Sequence, residues 1–529
     1  MRQWMVAAKK ADFYAIAEKF HVDPVVARII RNREVIGEKN IRIYLGGNLS
    51  DLSDPHQMKD MDRLVEILAQ KIRKQAHIRI IGDYDVDGVT SSHLFLTALR
   101  RVGAKVDVVI PHRIQDGYGL SLHLLQQAKE DGVDTILTCD NGIAAIDEIA
   151  WAKAQKMTVL VTDHHAVPFE EHEGRRTEKK SLADAVVNPH QQDCRYPYKE
   201  LCGAGVAWNV IRVLYENYDM DKREAEDLLD FVAMATVCDV MSLTGENRIL
   251  VKEGLKRIRH TKNIGLQALM QACNVQPENI SAYHFGYVLG PCVNATGRLD
   301  TARHALRLFE TGQETEAEEI ARDLVDLNQE RKELTLQGVE MAKKLCEEGG
   351  YENDPVLVLF LPDVHESIAG LIAGRIREMY NRPVFVLTRG EEGVKGSGRS
   401  TENYSMYENM CGCAELFTKF GGHPMAAGLS LPEENVEKFR RKINENCPLT
   451  VEEVCPDIHI DMAMPVGYAS TELVHQFALL EPFGKDNPSP LFADRNLSIS
   501  RMWVIGKNRN VLRMSVLSEY GQPVPVVFF

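Results

Sequence analysis

Between residues 76 and 165, short continuous apolar runs alternate with segments of helical period. "HIRIIGD" reads as a buried strand, "TSSHLFLTALRRVG" as a helix with Ser or Thr near its start and Gly103 at its end, and "KVDVVIPHR" as the next strand. "SLHLLQQAKEDG" is a helix, "VDTILTCDNG" a strand, "AAIDEIAWAKAQKM" a helix and "TVLVTDHH" a strand. Alternation of strands and helices of this kind predicts a parallel sheet with helices on both faces. Downstream, "GAGVAWNVIRVLYENY" and "AEDLLDFVAMATVCDVM" read as helices, and residues 300–348 as helical almost throughout, closing at Gly349 and Gly350. A second α/β pattern follows in "PVLVLFLPD", "SIAGLIAGRIREMY" and "RPVFVLT". After about residue 455 come short β-like runs, "LSISRMWVIG" and "NVLRMSVLS". The pattern divides the chain into an N-terminal segment (1–50), an α/β domain (51–250), a helical connector (251–350), a second α/β domain (351–450) and a small β domain (455–529). There is no internal repeat and no low-complexity tract.

The 529 residues, 44% hydrophobic, suffice for two to four domains with their own cores. No apolar run approaches the length of a membrane span, and the start "MRQWMVAAKKADFYAIAEKF" lacks the apolar core of a signal peptide. A cytoplasmic chain without a membrane partner is expected, acting as a monomer. The eleven cysteines form no CxxC pair, and the single CxC (Cys411, Cys413) has no partner cluster at zinc spacing, so buried free thiols are expected. A net charge of -14 argues against nonspecific coating of nucleic acid but leaves room for a local basic groove.

Four strand-like runs end in potential metal ligands: the first at Asp83, Asp85 and Asp87, the second at His112, the third at Asp140, the fourth at Asp163, His164 and His165. Asp239 ends a further apolar segment, "ATVCDVMSL". Singly, an aspartate after a strand is a common turn former or helix cap. In an open parallel sheet, however, these ends converge on one rim, and so many carboxylates there repel one another unless cations neutralise them. Oxygen-rich ligands with one or two imidazoles suit Mn²⁺ or Mg²⁺ better than structural zinc. Two such ions, about 3.5–4 Å apart, are the usual device for in-line phosphodiester hydrolysis.

The motifs "DYDVDG", "CDNG", "DHH" and "CDV" occur in the order and approximate spacing of the DHH phosphoesterase family, which the chain resembles. "GPCVNATGRLD", "HESIAGLIAGRI", "KGSGRS" and "GGHPMAAGLSL" are similar to that family's single-stranded-DNA-specific exonuclease branch, including its DHH-associated (DHHA1-type) second domain. "LEPFGKDNPSPLF" resembles the edge of the branch's oligonucleotide-binding (OB) fold. The resemblance implies that Asp85, Asp87, Asp140, His164 and Asp239 form the metal-binding and catalytic set, with Asp140 bridging two ions. It implies that Asp163 orients the histidines and that His165 contacts the scissile phosphate. Small-substrate members carry a histidine where this chain has Ile81, which leaves Asp83 or water to take that ligand's place.

In the second domain, Gly396, Ser397, Gly398 and Arg399 read as a glycine-rich turn that offers close backbone approach and a guanidinium fork, and Gly421, Gly422 and His423 as a neighbouring turn. Family resemblance makes these substrate contacts, with Arg298 a further phosphate contact rather than a surface arginine. His365 and Glu366 read either as groove residues or as caps of the helix that follows. Cys292, Ser367 and Asp486 depart from the common family pattern, which has arginine, glycine and glycine there. The chain stops at "VPVVFF", which reads as an abbreviated OB-like domain or a fragment. The resemblance implies a 5′→3′ exonuclease that releases mononucleotides from single-stranded DNA in repair and recombination, threading one strand between the two α/β domains. Its implied partners are the strand itself and a single-stranded-DNA-binding protein or a helicase. The rival readings are a DHH enzyme acting on oligoribonucleotides, a cyclic dinucleotide or pyrophosphate, and a non-catalytic scaffold.

Overall fold

The alternating runs of the first third fold into the sheet that the pattern predicts. The computed structural model describes residues 4–113, 116–117, 119–172, 175–351, 353–390, 393–450, 458–506 and 509–529. It forms two compact units, Val6–Leu324 with His459–Phe529, and Val325–Ile458 with Met1–Met5. In the larger unit, β1 (Ile78–Ile81), α1 (Val86–Arg101), β2 (Val106–Val109), α2 (Leu122–Glu130), β3 (Thr135–Cys139), α3 (Ile146–Ala154), β4 (Thr158–Thr162) and β5 (Ala185–Val187) follow one another. The strands lie in the order β2-β1-β3-β4-β5, every pair parallel. One face packs Ile81, Ile136 and Val161 against Leu125 of α2 and Ile149 of α3. On the other lies α1, with Ser92 Oγ 3.5 Å from Cys139 Sγ. Because β2 and β3 flank β1 on opposite sides, chain direction switches between β1 and β3, and a crevice opens at their carboxyl ends.

Helix α1 starts earlier than its serines and threonine suggest. Asp85 is its N-cap, accepting from the Gly88 amide at 3.0 Å. Thr90 and Ser92 lie inside the helix and return their hydroxyls to the Val86 and Gly88 carbonyls at 2.7 Å each. The unit continues through α4 (Gly203–Asn217), α5 (Leu229–Cys238), α6 (Gly245–Ile258) and α7 (Gly290–Leu299). The segment read as one helix around 225–241 is broken after Glu226, and α5 begins at Leu229. Helix α8 (Glu314–Glu348) begins in the larger unit and ends in the smaller.

The smaller unit holds β6 (Leu357–Phe360), α9 (Ala369–Tyr380), β7 (Val384–Gly390), β8 (Gly393–Arg399), β9 (Lys419–His423) and β10 (Ala426–Leu431) in the sheet order β9-β10-β8-β7-β6. Only β6 and β7 are parallel. This corrects the expectation of two glycine-rich turns, since residues 396–399 and 421–423 are strand. The glycines of β8 answer to packing. A Cβ at Gly396 would come within 2.4 Å of the Leu387 side chain, and one at Gly398 within 2.5 Å of Met406 Sδ. The C-terminal strands β11 (Ser498–Ile505), β12 (Val511–Leu517) and β13 (Pro523–Phe528) form an antiparallel meander. The domain start expected at 455 lies outside the described residues. No helix among the described residues is long and apolar enough to cross a membrane.

Arg248 of α6, 1% exposed, joins three separate parts of the larger unit. Its guanidinium donates to the carbonyls of Tyr44 (2.8 Å), Leu480 (2.9 Å) and Leu479 (2.9 Å) and lies 3.9 Å from the centroid of the Tyr44 ring. Three carbonyls and an aromatic face replace the water this charge has lost. We expect Arg248→Met to strand those acceptors and to destabilise the unit by roughly 3 kcal/mol, at about 1–3 kcal/mol per unsatisfied buried group. Urea unfolding followed by tryptophan fluorescence measures it, and a change under about 0.5 kcal/mol would contradict this role.

Candidate metal centre

Asp83, Asp85 and Asp87 leave the end of β1, but the first turn of α1 turns them in different directions. Asp87 Oδ2 accepts from the Gly203 amide at 2.6 Å and Oδ1 from the Ala204 amide at 2.7 Å. Its charge thus sits on the positive end of α4. Asp140, after β3, takes a left-handed conformation (φ 60°), and Gly203 makes room for it, since a Cβ there would fall 2.6 Å from Asp140 Cβ. His164 follows β4. Its Nε2 lies 3.1 Å from Asp140 Oδ1, 3.6 Å from Asp87 Oδ2 and 3.6 Å from Asp239 Oδ2. Asp239 arrives from the C-terminal end of helix α5 rather than from a strand.

Ligand atoms within 4.8 Å of one another fall into three overlapping groups: Asp83, Asp85 and Asp140; Asp87, His164 and Asp239; and Asp140, His164 and His165. Asp140 and His164 each belong to two. Asp163 has another task. Its Oδ1 accepts from the His164 and His165 amides (2.7 and 3.0 Å) and lies 2.8 Å from His165 Nδ1, while its Oδ2 accepts from the Ile143 amide at 2.9 Å. The bonds to His164 and His165 position the histidines, and the one from Ile143 anchors Asp163 itself. His112 joins none of the groups, and its amide donates to Asp116 Oδ2 at 2.7 Å.

Burial pushes the Asp83, Asp140 and Asp239 carboxyls well above the ordinary 3.8, and neighbouring carboxylates add to it, Asp85 for Asp83 and Asp87 for the other two. Burial and Asp87 also raise Asp85. Burial lowers His164, leaving a neutral imidazole fit to ligate a cation. Burial opposes ionisation of Asp163, yet its bond to His165 and the two imidazoles hold it below the usual range. For His165 burial is likewise outweighed, here by Asp163, Asp239 and Asp87, and its pKa rises to about 9. Asp83 Oδ1 and His164 Nε2 are buried without a hydrogen-bond partner among the described residues. Orphaned acceptors, carboxylates crowded past tolerance and one neutral imidazole are what a hard divalent cation would satisfy.

Two residues that sequence reasoning did not single out hold the aspartate loop. Asn294 Oδ1 on α7 accepts from the Val86 amide at 3.1 Å, and a Cβ at Gly297 would lie 2.5 Å from the Tyr84 carbonyl oxygen. The motif "NATGRLD" thus braces "DYD". Arg298 is half-buried at the end of this helix. Cys292 keeps its thiol inside, donating to the Val288 carbonyl at 3.3 Å and lying 3.8 Å from Cys273 Sγ.

In the smaller unit, strand register brings the expected substrate residues into rows. Arg399, Ala426 and His423 are neighbours across β8, β10 and β9, and Ser397, Gly428 and Gly421 form the next row. Alternation puts these on one face, with Gly398 and Gly422 on the other. Arg399 donates to the Gly398 carbonyl at 2.7 Å and packs at Gly370 of α9, where a Cβ would lie 2.9 Å from the guanidinium. Of the two readings for His365, the cap holds, because its side chain accepts from the Ser367 amide. Glu366 pairs with Lys395 at 2.9 Å.

Family models match in three places: the DHH family, N-terminal domain, over residues 77–236, the DHHA1 domain over 353–447 and the RecJ OB domain over 460–529. The chain is 34% identical to the single-stranded-DNA-specific exonuclease RecJ of Haemophilus influenzae, covering 94% of this chain and 88% of that one. It is 33% identical to the Bacillus subtilis protein of the same name over 96% of this chain and 63% of that one, so it spans under two thirds of that relative's length. The crystal structure of RecJ in complex with Mn²⁺ from Thermus thermophilus superposes with a TM-score of 0.81 at 26% identity, over 99% of this chain and 78% of that one. On these relationships, and with the DHH aspartates and histidines gathered on one rim, the chain belongs to the RecJ family of single-stranded-DNA-specific exonucleases.

Proposed function

We propose that the chain is a metal-dependent exonuclease that hydrolyses single-stranded DNA from its 5′ end and releases mononucleotides. The observation that carries the chemistry is the sharing of Asp140 and His164 among overlapping ligand groups, an arrangement that suits two neighbouring cations. Asp85, Asp87, Asp140, His164 and Asp239 hold the ions, and Asp83, grouped with Asp85 and Asp140, completes one end. Bound there, Mn²⁺ or Mg²⁺ supplies an activated water and charge compensation at the phosphate. Asp163 fixes the tautomer and direction of the histidines. His165, 40% exposed at its side chain and held by Asp163 at 2.8 Å, meets the scissile phosphate.

In the DHHA1-type domain, taken as 351–450, the row of Arg399 and His423 beside the glycine-floored row of Ser397 and Gly421 supports a grip on the sugar-phosphate backbone. Gly398 and Gly422, on the opposite face, let the strands pack closely, and Arg298 adds a phosphate contact. The domain at 51–250 carries the metal, 251–350 connects, and the OB-like strands from about 455 add affinity for unpaired bases. The natural substrate is a strand opened by a helicase or coated by a single-stranded-DNA-binding protein, and the enzyme works as a cytoplasmic monomer in DNA repair and recombination.

Incubation with Mn²⁺ and a 5′-labelled single strand, beside a duplex and a short oligoribonucleotide, tests the reading. We expect labelled mononucleotide from the single strand alone, and Asp140→Ala should lower the rate at least about a thousandfold. Preferential cleavage of the oligoribonucleotide would favour a different DHH activity.

The carboxyl shifts make metal and pH interdependent. Asp83, Asp140 and Asp239 keep their protons in the folded metal-free protein above 3.8, where the unfolded chain has lost them. The unfolded state then binds fewer protons, so the cluster's contribution to stability falls as pH rises. Mn²⁺ reverses this by displacing the protons. Urea unfolding should show a larger Mn²⁺-induced stabilisation at about pH 8 than at about pH 5, and an equal or smaller one would contradict the assignment.

Gly203→Ala pushes a methyl into Asp140 and loosens the amides that hold Asp87. Calorimetric titration should show Mn²⁺ affinity reduced about 10–100-fold, the range for lost support of a ligand. Unchanged affinity would show that Asp140 is not a ligand in this position.

A further inference from the structure

Two cysteines of the larger unit stand with their sulfurs 3.8 Å apart. Cys273 closes the helix Ile264–Ala272, and the left-handed Asn274 (φ 54°) turns the chain away directly after it. Cys292 lies in the first turn of α7, 2% exposed, and its thiol donates to the Val288 carbonyl at 3.3 Å. Neither is in a disulfide. Sulfurs at this separation need to close by about 1.8 Å to bond. Cys273, partly exposed at a helix end, is the one that an oxidant reaches from solvent.

Helix α7 is a sensitive place for such a bond, because it packs closely against both sides of the metal centre. At its start, a Cβ on Gly290 would fall 2.3 Å from Sγ of Cys238, the residue before Asp239. Further along, Asn294 holds the Val86 amide at 3.1 Å, between Asp85 and Asp87, and Gly297 lies against the Tyr84 carbonyl. Cys292 sits between these contacts, two residues from Gly290 and two from Asn294. The turn before α7, Phe285–Leu289, is a π-helix, a rare wide turn that helices use mostly at functional sites. A disulfide has no S–H, so the bond from Cys292 to Val288, inside that turn, is lost when the sulfurs join.

We propose that Cys273 and Cys292 form a reversible disulfide under peroxide, and that closing it loosens the α7 brace and lowers the affinity of the centre for divalent cations. The Cys273 thiolate attacks the peroxide O–O bond and keeps one oxygen as a sulfenic acid. The other oxygen leaves as hydroxide and takes up the thiol's proton to become water. The Cys292 sulfur then attacks the sulfenic sulfur, the S–O bond breaks, and that oxygen leaves as a second water with the Cys292 proton. Two thiols and one hydrogen peroxide thus give one disulfide and two waters, and a dithiol reverses the bond by exchange. In a reducing compartment such a bond is transient, as a response to oxidant requires. Its consequence rests on the metal-centre reading, whereas the bond itself rests on the two sulfurs.

The test oxidises the metal-free full chain with hydrogen peroxide, removes the oxidant and maps disulfides in unreduced peptides by mass spectrometry. We expect the peptides carrying Cys273 and Cys292 to be joined, and to separate in dithiothreitol. In the oxidised protein, hydrogen exchange of the peptide around Val86 should speed up, and calorimetric titration should show Mn²⁺ affinity reduced about tenfold, the lower end for lost support of a ligand. Cys273→Ser, which leaves α7 as it is, should keep wild-type Mn²⁺ affinity before and after oxidant. Cys411→Ser, which removes an exposed thiol of the smaller unit, should respond to oxidant as wild type does. Oxidant that modifies Cys411 without joining Cys273 to Cys292 overturns the disulfide. A joined pair that leaves Val86 exchange or Mn²⁺ affinity unchanged overturns its action on the centre. If reduced wild type binds no Mn²⁺, the metal-centre reading fails by itself, and the cross-link and Val86 exchange still decide whether the pair acts on the aspartate loop.

Discussion

The constraint on which the larger unit depends is the repulsion among five buried or half-buried carboxylates, Asp83, Asp85, Asp87, Asp140 and Asp239, gathered in overlapping groups with one neutral imidazole. The fold offers each a different partial remedy. Asp87 is held by two amides at the start of α4, Asp85 by the start of α1, and Asp239 is eased by His165 and Lys485. Asp140 and Asp83 keep raised pKa values all the same, through burial and the neighbouring carboxylates. A helix end contributes about half a charge, so it cannot neutralise the cluster, and cations are the remaining source of opposite charge on the scale required.

Placing so many groups together also demands room for backbone, and glycine supplies it where a side chain would collide. Gly88 lies so close to Asp83 that a Cβ would stand 2.4 Å from its carbonyl oxygen, and Gly203 and Gly297 play the same part toward Asp140 and Tyr84. Each lets one more segment reach the rim. The centre therefore depends on steric clearance at positions that carry no chemistry, and a methyl there acts on the ligands through the backbone.

This explains which parts were legible in the sequence. The ligands at strand ends could be read because aspartate and histidine after a continuous apolar run stand out, and the parallel order of the sheet then brings those ends together. The start of α1 was misread because Thr90 and Ser92 resemble caps, whereas Asp85 holds that place and the hydroxyls fold back on the helix. Gly396 and Gly398 were misread because glycine serves turns and close packing alike, and a sequence does not say which. The support of Asp87 by Gly203 joins residues 116 apart in the chain, and no local pattern announces such a contact. Arg248 falls in the same class, for its partners are backbone carbonyls, which every residue possesses.

Net charge gives a misleading account of how such a chain meets a polyanion. At physiological salt, exposed charges further apart than about 8 Å are largely screened, so a phosphate responds to the nearest few side chains and not to the total of -14. Beside the metal centre His165 carries such a charge in the metal-free protein, and in the smaller unit Arg399 lies in one row with His423. The acidic residues that dominate the total divide between solvated helix faces, as in α8, and the cluster whose charge the metal ions take up. An acidic protein can therefore degrade an acidic polymer, provided that the cations are local and the buried anions are already committed to metal.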